Sequence, residues 1–403
     1  MTEVTAGTPA GEPDGELKLL AETCDALFGD HAGAHAGGRA ADQAGIWDER
    51  LWAALERAGI PLISVPEAAG GSGGSLEQAA VVLISAGEHA ARVPVAETAL
   101  LGGWLLAEAG LPVPAGPLTA VRAPGAAPPS AARAAGGAGA VSLARVPDGW
   151  LVRGRLPRVG WGRVAGHVVV LAESAGAELA VALGPGEVTV VPGSNVAGEP
   201  RDDIIVDTVT GHAAVREVAD GTAAALRLRA ALARVLLISG AMRRALDLTV
   251  RYAGERQQFG RSLGSFQAVQ QQMAELAAET AAVRAAADAA VRRCAAGDAA
   301  GSDAAGSDAA GSAPDGFAGH DAWFAVASAK VQAARGATVA ARIAHQVHGA
   351  IGFTEEHALR LTTTRLWAWR DEAGSSAQWA DELGRRTLAA GPLWQLITAD
   401  APR

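Results

Sequence analysis

Apolar residues recur every three or four positions along the first quarter of the chain. Two such runs cover residues 17–28 and 47–58, and two further buried helices are predicted at residues 76–90 and 98–109. Gly29, Gly59 and Gly110 lie where helices are expected to end. The pattern predicts an all-α N-terminal domain over residues 16–110, preceded by a disordered N-terminus at residues 1–15.

The middle of the chain has a different pattern. Between residues 111 and 218, short runs rich in Val and Leu alternate with Gly and Pro, and no pattern long enough for a helix lies between them. The runs cover residues 140–144, 150–152, 167–172, 179–183 and 188–191. They predict a small antiparallel β-barrel or sandwich and argue against a βαβ dinucleotide-binding fold.

Long helical patterns return after residue 219. Alanine-rich stretches at residues 222–253, 266–296, 321–348, 356–369 and 379–389 predict a C-terminal four-helix bundle over residues 219–403. A repeat of Asp-Ala-Ala-Gly-Ser interrupts them, and residues 298–316 are predicted to form a mobile loop. The fold class predicted is therefore α+β multidomain, with a β domain between two helical ones.

The amino-acid composition excludes several classes of binding partner and of site. With 49% apolar residues the chain can bury a large core, and 43 acidic against 34 basic residues give a net charge of -9. This charge gives no reason to expect nucleic acid or an anionic membrane as a partner. The two cysteines lie far apart with no metal-ligand spacing, so neither a disulfide framework nor a metal site is expected. No signal peptide or membrane-spanning run is predicted, which favours a cytoplasmic location.

The most specific motif is the segment 252–270, which reads YAGERQQFGRSLGSFQAVQ. It closely resembles the RxxFGxxLxxFQxxQ signature of the acyl-CoA dehydrogenases, flavoproteins that bind FAD at a subunit interface. The resemblance implies that Arg256 contacts the FAD pyrophosphate as a charge-assisted donor, that Phe259 packs near the adenine and that Gln258 belongs to the same binding loop. An ordinary helix turn with a surface arginine is the alternative interpretation.

A second motif follows about ninety residues later. The stretch QVHGAIGF at residues 346–353 resembles the QxxGGxGF segment of the same family. The resemblance implies that Gln346, Gly349, Ala350 and Gly352 bind the cofactor, partly through backbone amides that glycine leaves accessible. A plain helix C-cap would also explain the glycines. Trp161 stands where the family keeps a tryptophan beside the isoalloxazine ring, although a role in core packing is the open alternative.

The resemblance also implies an activity. Such enzymes remove the α-proton of an acyl-CoA or related thioester with a carboxylate base while the β-hydrogen leaves as hydride to flavin N5. Electrons then pass to an electron-transfer flavoprotein. A flavin contacted by Arg256 of one chain and by residues 346–352 of another requires at least a dimer, either a homo-oligomer or a hetero-oligomer with a related subunit.

The catalytic base departs from the family pattern. Counted without gaps from the second motif, the position of the family's catalytic Glu falls on Ala373, and the adjoining Thr position falls on Ser375, which is expected to contact the cofactor. Glu372 takes the place of the family's Tyr. A base position used by other members falls on Ala230. Neither matched position carries a carboxylate.

Several interpretations remain open. Glu372, or Asp371, could supply the base if Trp367 and Trp369 raised its pKa. Alternatively, the pair is a solvated helix cap, and the chain is a non-catalytic or half-site partner subunit of a heteromeric dehydrogenase. It could also catalyse other thioester chemistry, or be an unrelated helical binding scaffold. Residues 124–139 replace a polar flavin-contacting segment of the family, so contacts there would have to come from the backbone or be absent.

Overall fold

The computed structural model describes residues 13–32, 47–123, 141–304, 317, 319–354 and 357–389. Residues 1–12 of the predicted disordered N-terminus, most of the predicted mobile loop and the end of the chain after residue 389 lie outside these residues, as do residues 124–139. Residues 13–15, predicted to be disordered, instead form the first residues of a helix. The domain boundaries at residues 110 and 218 stay predictions.

The N-terminal region is helical, as the apolar spacing predicts. Asp48 accepts a hydrogen bond from the backbone N–H of Leu51, and Ser75 forms a reciprocal capping box with Gln78, so two of the helices begin at side-chain caps. A π-helical turn at Glu97–Gly102 leads directly into the last helix of the region. The helices are α1 (Pro13–Ala32), α2 (Glu49–Arg57), α3 (Leu76–Glu88) and α4 (Gly103–Glu108).

The middle region is a sandwich of two four-stranded sheets, with order β1-β4-β5-β8 in one and β2-β3-β7-β6 in the other. Val152, Leu156, Val170, Val181 and Ile204 fill the space between the sheets. The strands are β1 (Leu118–Arg122), β2 (Ser142–Val146), β3 (Gly149–Gly160), β4 (His167–Ser174), β5 (Ala177–Leu183), β6 (Val188–Val191), β7 (Arg201–Thr210) and β8 (Val215–Glu217).

The structure decides between the two predicted β folds and corrects one detail of the strand pairing. The sheets do not close, so the barrel alternative fails and the sandwich holds. Strand β1 pairs in parallel with β4, because it enters from the helical region rather than through a hairpin, so the sheets are not purely antiparallel. Strands β1, β7 and β8 lie outside the predicted runs. β1 and β8 are short, and β7 begins with Arg201, Asp202 and Asp203, which hide its later apolar alternation.

The C-terminal region is the predicted bundle, in which α5 packs against α6, α7 and α8, and α9 packs on α7. Its helices are α5 (Thr222–Glu255), α6 (Gln267–Ala304), α7 (His320–His348), α8 (Ala358–Asp371) and α9 (Ser376–Ala389). Helix α6 continues to Ala304, past the predicted loop start at residue 298, because the repeat is rich in alanine, the best helix former. Within the described ranges, no helix is long and apolar enough to cross a membrane, and the cytoplasmic location stays a prediction.

Small residues bring the N-terminal helices into close contact with the bundle. Gly87 on α3 lies against the Leu237 carbonyl of α5, and Gly240 on α5 lies against the Ile84 carbonyl of α3. A Cβ at either glycine would overlap the facing backbone. The two helices therefore touch backbone to backbone, which fixes α5 relative to the rest of the fold.

Candidate active site

A cleft of about 780 Å³ lies where the helical region, the sandwich and the bundle meet. Its walls come from the π-helical turn, the ends of β1 and β3, the loop before β7, the first half of α5 and the end of α8. A cavity of this size is typical of sites for small molecules. It is the natural candidate for the active site.

Both positions where the family's base was expected open into this cleft. Ala373 lines it from the end of α8, and Ala230 lines it from α5. The fold therefore brings together two places that are far apart in sequence, and each carries a methyl group that can neither accept nor donate a proton. Glu372 and Asp371 also line the cleft.

Glu372 is held by three side chains from other parts of the fold. Arg201 donates from Nε to Oε1 at 2.8 Å and from Nη2 to Oε2 at 2.7 Å. The Nε atom of Arg234 lies 2.8 Å from Oε2, and Asn195 donates to Oε1 at 3.0 Å. Both carboxylate oxygens are thus occupied by charge-assisted bonds.

This environment corrects the expectation that Trp367 and Trp369 raise the pKa of Glu372. Burial alone would raise it, but the charges of Arg234 and Arg201 and the hydrogen bonds from Arg201 and Asn195 lower the pKa to about 2. Trp369 instead turns its indole N–H to Glu199 at 2.9 Å. A carboxylate with this pKa is a very weak base.

The bonds from Arg201, Arg234 and Asn195 to Glu372, called the clamp below, belong to a larger buried charge cluster. Glu97 accepts from Arg234 at 2.6 Å, Glu199 accepts from Arg201 at 3.1 Å, and Arg365 lies 3.2 Å from Glu199. Three arginines and three glutamates, including Glu372, therefore balance one another. The cluster joins the helical region, the sandwich and the bundle. Sequence reasoning missed all of it except Glu372, because apart from Glu199 and Arg201, which are two residues apart, its members come from distant parts of the chain.

Lys330 supports the same place from α7. It is fully buried and donates to the backbone carbonyls of Trp369 at 3.1 Å and Arg370 at 2.8 Å, at the end of α8. Burial lowers its pKa to about 7, and the nearby Arg234 adds to the effect while Glu372 and Asp371 oppose it. The sequence offered one signal for this residue: lysine is rare in the chain, and Lys18 is the only other one.

Trp161 is packed into the interior beside this cluster. It is 3% exposed and has a φ of 58°. It lines a separate cavity of about 20 Å³ together with Glu97, Glu199 and Arg201. The large cleft is lined by Gly160 and not by Trp161, so the described geometry favours the core-packing alternative for this residue.

The first flavin motif forms an exposed hairpin after α5. Strands β9 (Gln257–Gln258) and β10 (Arg261–Ser262) pair across Phe259 and Gly260, both with positive φ. Arg256 and Gln258 are exposed, and Phe259 is 93% exposed while its ring stands edge-on to Phe266. The hairpin presents a guanidinium and an aromatic ring outward.

The second motif is the turn that ends α7. Gly349 has a φ of 64°, which favours glycine, and Gln346, Gly349 and Ala350 are exposed while Gly352 packs against His345 and His348. The turn is therefore a helix C-cap, as the alternative interpretation of these glycines proposes. Its outer face is nevertheless accessible to a ligand.

The two motifs lie side by side in one chain. The rings of Tyr252 and His348 stack with centroids 4.4 Å apart, which joins the end of α5 to the end of α7. The assumption that Arg256 and residues 346–352 come from different chains is therefore unnecessary. Ser375 lies elsewhere, as the cap of α9, where its N–H and Oγ bond to Gln378.

Arg256 is distant from the cleft of its own chain. It follows α5 at one end, and Ala230 lines the cleft near the other end. At about 1.5 Å of rise per residue, the two lie about 39 Å apart along the helix. A ligand that contacts both a cleft and Arg256 must therefore be shared by two chains.

The hairpin and turn fit an anionic dinucleotide such as FAD. An exposed guanidinium suits a pyrophosphate, an exposed phenyl ring suits an aromatic base, and a glycine at positive φ leaves room for close approach of main chain to ligand. Arg256 has no ion-pair partner in the part of the chain that the structure describes.

Known proteins share this fold and sequence. The ChsE4-ChsE5 complex from Mycobacterium tuberculosis superposes with a TM-score of 0.75 over 93% of this chain and 98% of that chain, at 24% identity. This likeness establishes an acyl-CoA dehydrogenase fold. Residues 219–387 also match the family model for the acyl-CoA dehydrogenase C-terminal domain.

Sequence relatives identify the family. The acyl-CoA dehydrogenase IpdE2 of Mycolicibacterium smegmatis is 30% identical over 67% of this chain and 75% of that protein. The acyl-CoA dehydrogenase FadE27 of Mycobacterium tuberculosis is 32% identical over 57% of this chain, and the match spans 62% of its length. The chain belongs to the acyl-CoA dehydrogenase family, whose members are FAD-binding flavoproteins.

Proposed function

We propose that this chain is a subunit of a heteromeric, FAD-dependent acyl-CoA dehydrogenase, and that it helps to bind FAD but supplies no general base from its own cleft. The observation that carries the proposal is the clamp on Glu372, together with alanine at positions 230 and 373. A related subunit would provide the base for removal of the α-proton of an acyl thioester.

The weakness of Glu372 as a base supports this proposal. A general base is most effective when its pKa lies near the working pH and its oxygen can reach the substrate proton. The pKa of Glu372 is about 2, and four hydrogen bonds or ion pairs occupy its oxygens. To act as a base it would have to give up its bonds to Arg201 and Arg234. The buried cluster would then hold three arginines against only Glu97 and Glu199.

The exposed motifs support a role in cofactor binding. Arg256 and the outer face of the Gly349–Phe353 turn would hold the FAD pyrophosphate, and Phe259 would contact an aromatic part of the cofactor. When bound, FAD supplies the hydride acceptor for α,β-dehydrogenation. An electron-transfer flavoprotein would then receive the electrons, as the resemblance to acyl-CoA dehydrogenases implies.

A second candidate is a homomeric dehydrogenase that uses Asp371. Asp371 lines the cleft and its side chain is 59% exposed, with Arg370 at 3.1 Å. An exposed carboxylate can reorient more easily than the clamped Glu372, so Asp371 is the stronger base candidate within this chain.

The visible spectrum tests these candidates. We expect the chain expressed alone to lack a full complement of flavin, and coexpression with a related subunit to give a yellow complex that an acyl-CoA bleaches anaerobically. In that complex, Asp371→Asn and Glu372→Gln should retain bleaching wherever FAD is retained, whereas Arg256→Gln should lower the FAD content.

If the chain is instead a homomeric dehydrogenase, the opposite spectrum is expected. A yellow chain that is bleached alone, and whose bleaching disappears in Asp371→Asn with FAD still bound, would overturn the partner-subunit proposal. Arg145→Gln, an exposed change outside the cleft, serves as the matched control.

A further inference from the structure

The cleft is lined by more positive charge than its acidic groups neutralise. Arg201 and Arg234 are paired with buried glutamates, and Arg227 pairs with Glu382 at 2.8 Å. The side chains of the other two arginines make no ion pair or hydrogen bond with any described residue. The five arginines that line the cleft are Arg122, Arg158, Arg201, Arg227 and Arg234.

A β-bulge places Arg158 in the cleft wall. The pairing of β3 with β7 shifts register between Leu156 and Val159, and Arg158 within this bulge has a φ of 54°. Its backbone N–H donates to Asp203 at 2.8 Å, and Asp203 is in turn paired with Arg155. Bulges redirect side chains and often lie beside binding sites. The backbone of Arg158 is thus fixed. Its guanidinium feels the charge of Asp203 but makes no hydrogen bond or ion pair with a described residue, so it can bind a ligand.

Arg122 lies on a neighbouring strand that is tied to the bulge. It ends β1, and Thr119 of that strand donates to the Gly160 carbonyl of β3 at 2.8 Å. Gly160 lies two residues after Arg158, so the strands that carry the two arginines are bonded together. Both arginines line the same cleft and both are exposed.

We propose that Arg122 and Arg158 form an anion-binding subsite of the cleft, for a ligand that carries a carboxylate or phosphate group. Two guanidiniums can each make paired, charge-assisted hydrogen bonds to such an oxyanion. The apolar part of the ligand would lie against Leu101, Leu226 and Trp367, which line the same space. The subsite goes beyond the proposed function, because it requires neither a base nor FAD.

Calorimetric titration of the full chain with three probes tests the subsite and identifies the anion. The probes are coenzyme A, hexanoyl-CoA and hexanedioyl-CoA, which differ in the acyl group and in its terminal carboxylate. A carboxylate subsite should bind hexanedioyl-CoA roughly tenfold more tightly than hexanoyl-CoA, and Arg122→Gln or Arg158→Gln should remove that difference. A phosphate subsite should bind all three probes, each roughly tenfold more weakly in either variant.

Arg145→Gln is the matched control, because Arg145 is exposed on β2 and lies outside the cleft. It should bind every probe as the wild type does. Unchanged binding of all three probes to Arg122→Gln and Arg158→Gln would overturn the proposal, as would no binding of any probe to a folded wild type. Either result leaves the flavin and partner-subunit proposal intact, since that proposal is tested by the flavin spectrum.

Discussion

Glu372 shows how neighbours decide what a carboxylate can do. It lines the cleft next to the place of the family's base, yet Arg201 and Arg234 hold both of its oxygens. The same bonds that weaken Glu372 as a base give it a structural role. It is the third of three glutamates that balance the charge of three buried arginines. Its removal should therefore affect folding before chemistry.

Glu372→Gln should lower the free energy of unfolding by about 3 kcal/mol, because it leaves a buried excess of positive charge on Arg201 and Arg234. Urea denaturation measures the change. Glu275→Gln is the control, since Glu275 pairs with Arg342 on the surface at 3.0 Å and should cost less than about 1 kcal/mol. Equal effects of the two variants would contradict a structural role for the clamp.

The pKa of Glu372 also predicts acid sensitivity. Its pKa is about 2 in the folded chain against an ordinary value of 4.5, so the unfolded chain binds the proton first as the pH falls. The stability from this ionisation is complete above about pH 4.5 and is lost as the pH approaches 2, in total about 3 kcal/mol at about 1.4 kcal/mol per pKa unit. The difference in stability between wild type and Glu372→Gln should shrink over this window; a constant difference would refute the shifted pKa.

Lys330 should give the opposite kind of pH dependence. Its pKa is lowered from 10.5 to about 7, so between these values the unfolded chain holds a proton that the folded chain has lost, and stability rises with pH. The unfolding free energy of wild type minus that of Lys330→Met should therefore grow from pH 7 towards 10.5. Lys18→Met, at an exposed position on α1, is the matched control for the loss of a lysine. A flat difference for Lys330→Met would show that the buried amine titrates normally.

At the scale of elements, α5 links the two functional regions. Its first half lines the cleft with Ala230 and Arg234, and its end carries the Arg256 hairpin. The helix can hold both in place because Gly240 lets it pack directly on the backbone of α3. A single helix thereby sets the distance between cleft and hairpin.

Gly240→Ala should destabilise the fold by about 2 kcal/mol, because the added methyl overlaps the Ile84 carbonyl and forces α3 and α5 apart. Gly254→Ala on the same helix has open space around the new methyl and should stabilise it by about 0.5 to 1 kcal/mol. Thermal and urea denaturation of both variants compare the effects. A stabilising Gly240→Ala would show that the close approach is not required.

At the scale of the whole molecule, apolar side chains are exposed around the flavin motifs. Phe259 of the hairpin and Ile351 and Phe353 of the turn are exposed, as is Val250 near the end of α5. Exposed apolar groups clustered beside a conformationally defined hairpin are typical of an interaction surface. The geometry of α5 independently requires two chains for any ligand shared between a cleft and Arg256.

Phe259→Ser should weaken assembly with the partner subunit and reduce FAD retention, while changing the stability of the isolated chain by less than about 0.5 kcal/mol. Light scattering after size exclusion, together with the flavin absorbance, measures both effects. Leu388→Ser is the matched control, since Leu388 on α9 is 86% exposed and lies away from both motifs in sequence. An unchanged assembly in Phe259→Ser would remove the hairpin from the interface.

The local pattern of the chain was enough to predict the helices, a small β domain and the order of the three regions, but it left barrel and sandwich open. Helical periodicity and strand alternation depend on residues close together in sequence, and the motifs at residues 252–270 and 346–353 are also local. The pattern missed the short strands β1 and β8, and it missed β7 because charged residues begin that strand. The parallel pairing of β1 with β4 could not be predicted, because pairing depends on residues remote in the chain.

The chemistry of the cleft was decided only by tertiary structure. Glu372 could be named from the sequence, but its pKa is set by Arg201, 171 positions away, and by Arg234 and Asn195 on other elements. An electrostatic environment is a property of distances in space, and charges remote in sequence fix it only after folding. The sequence therefore determined the architecture and the family, whereas the fold determined that the carboxylate beside the expected base position is locked in an ion cluster.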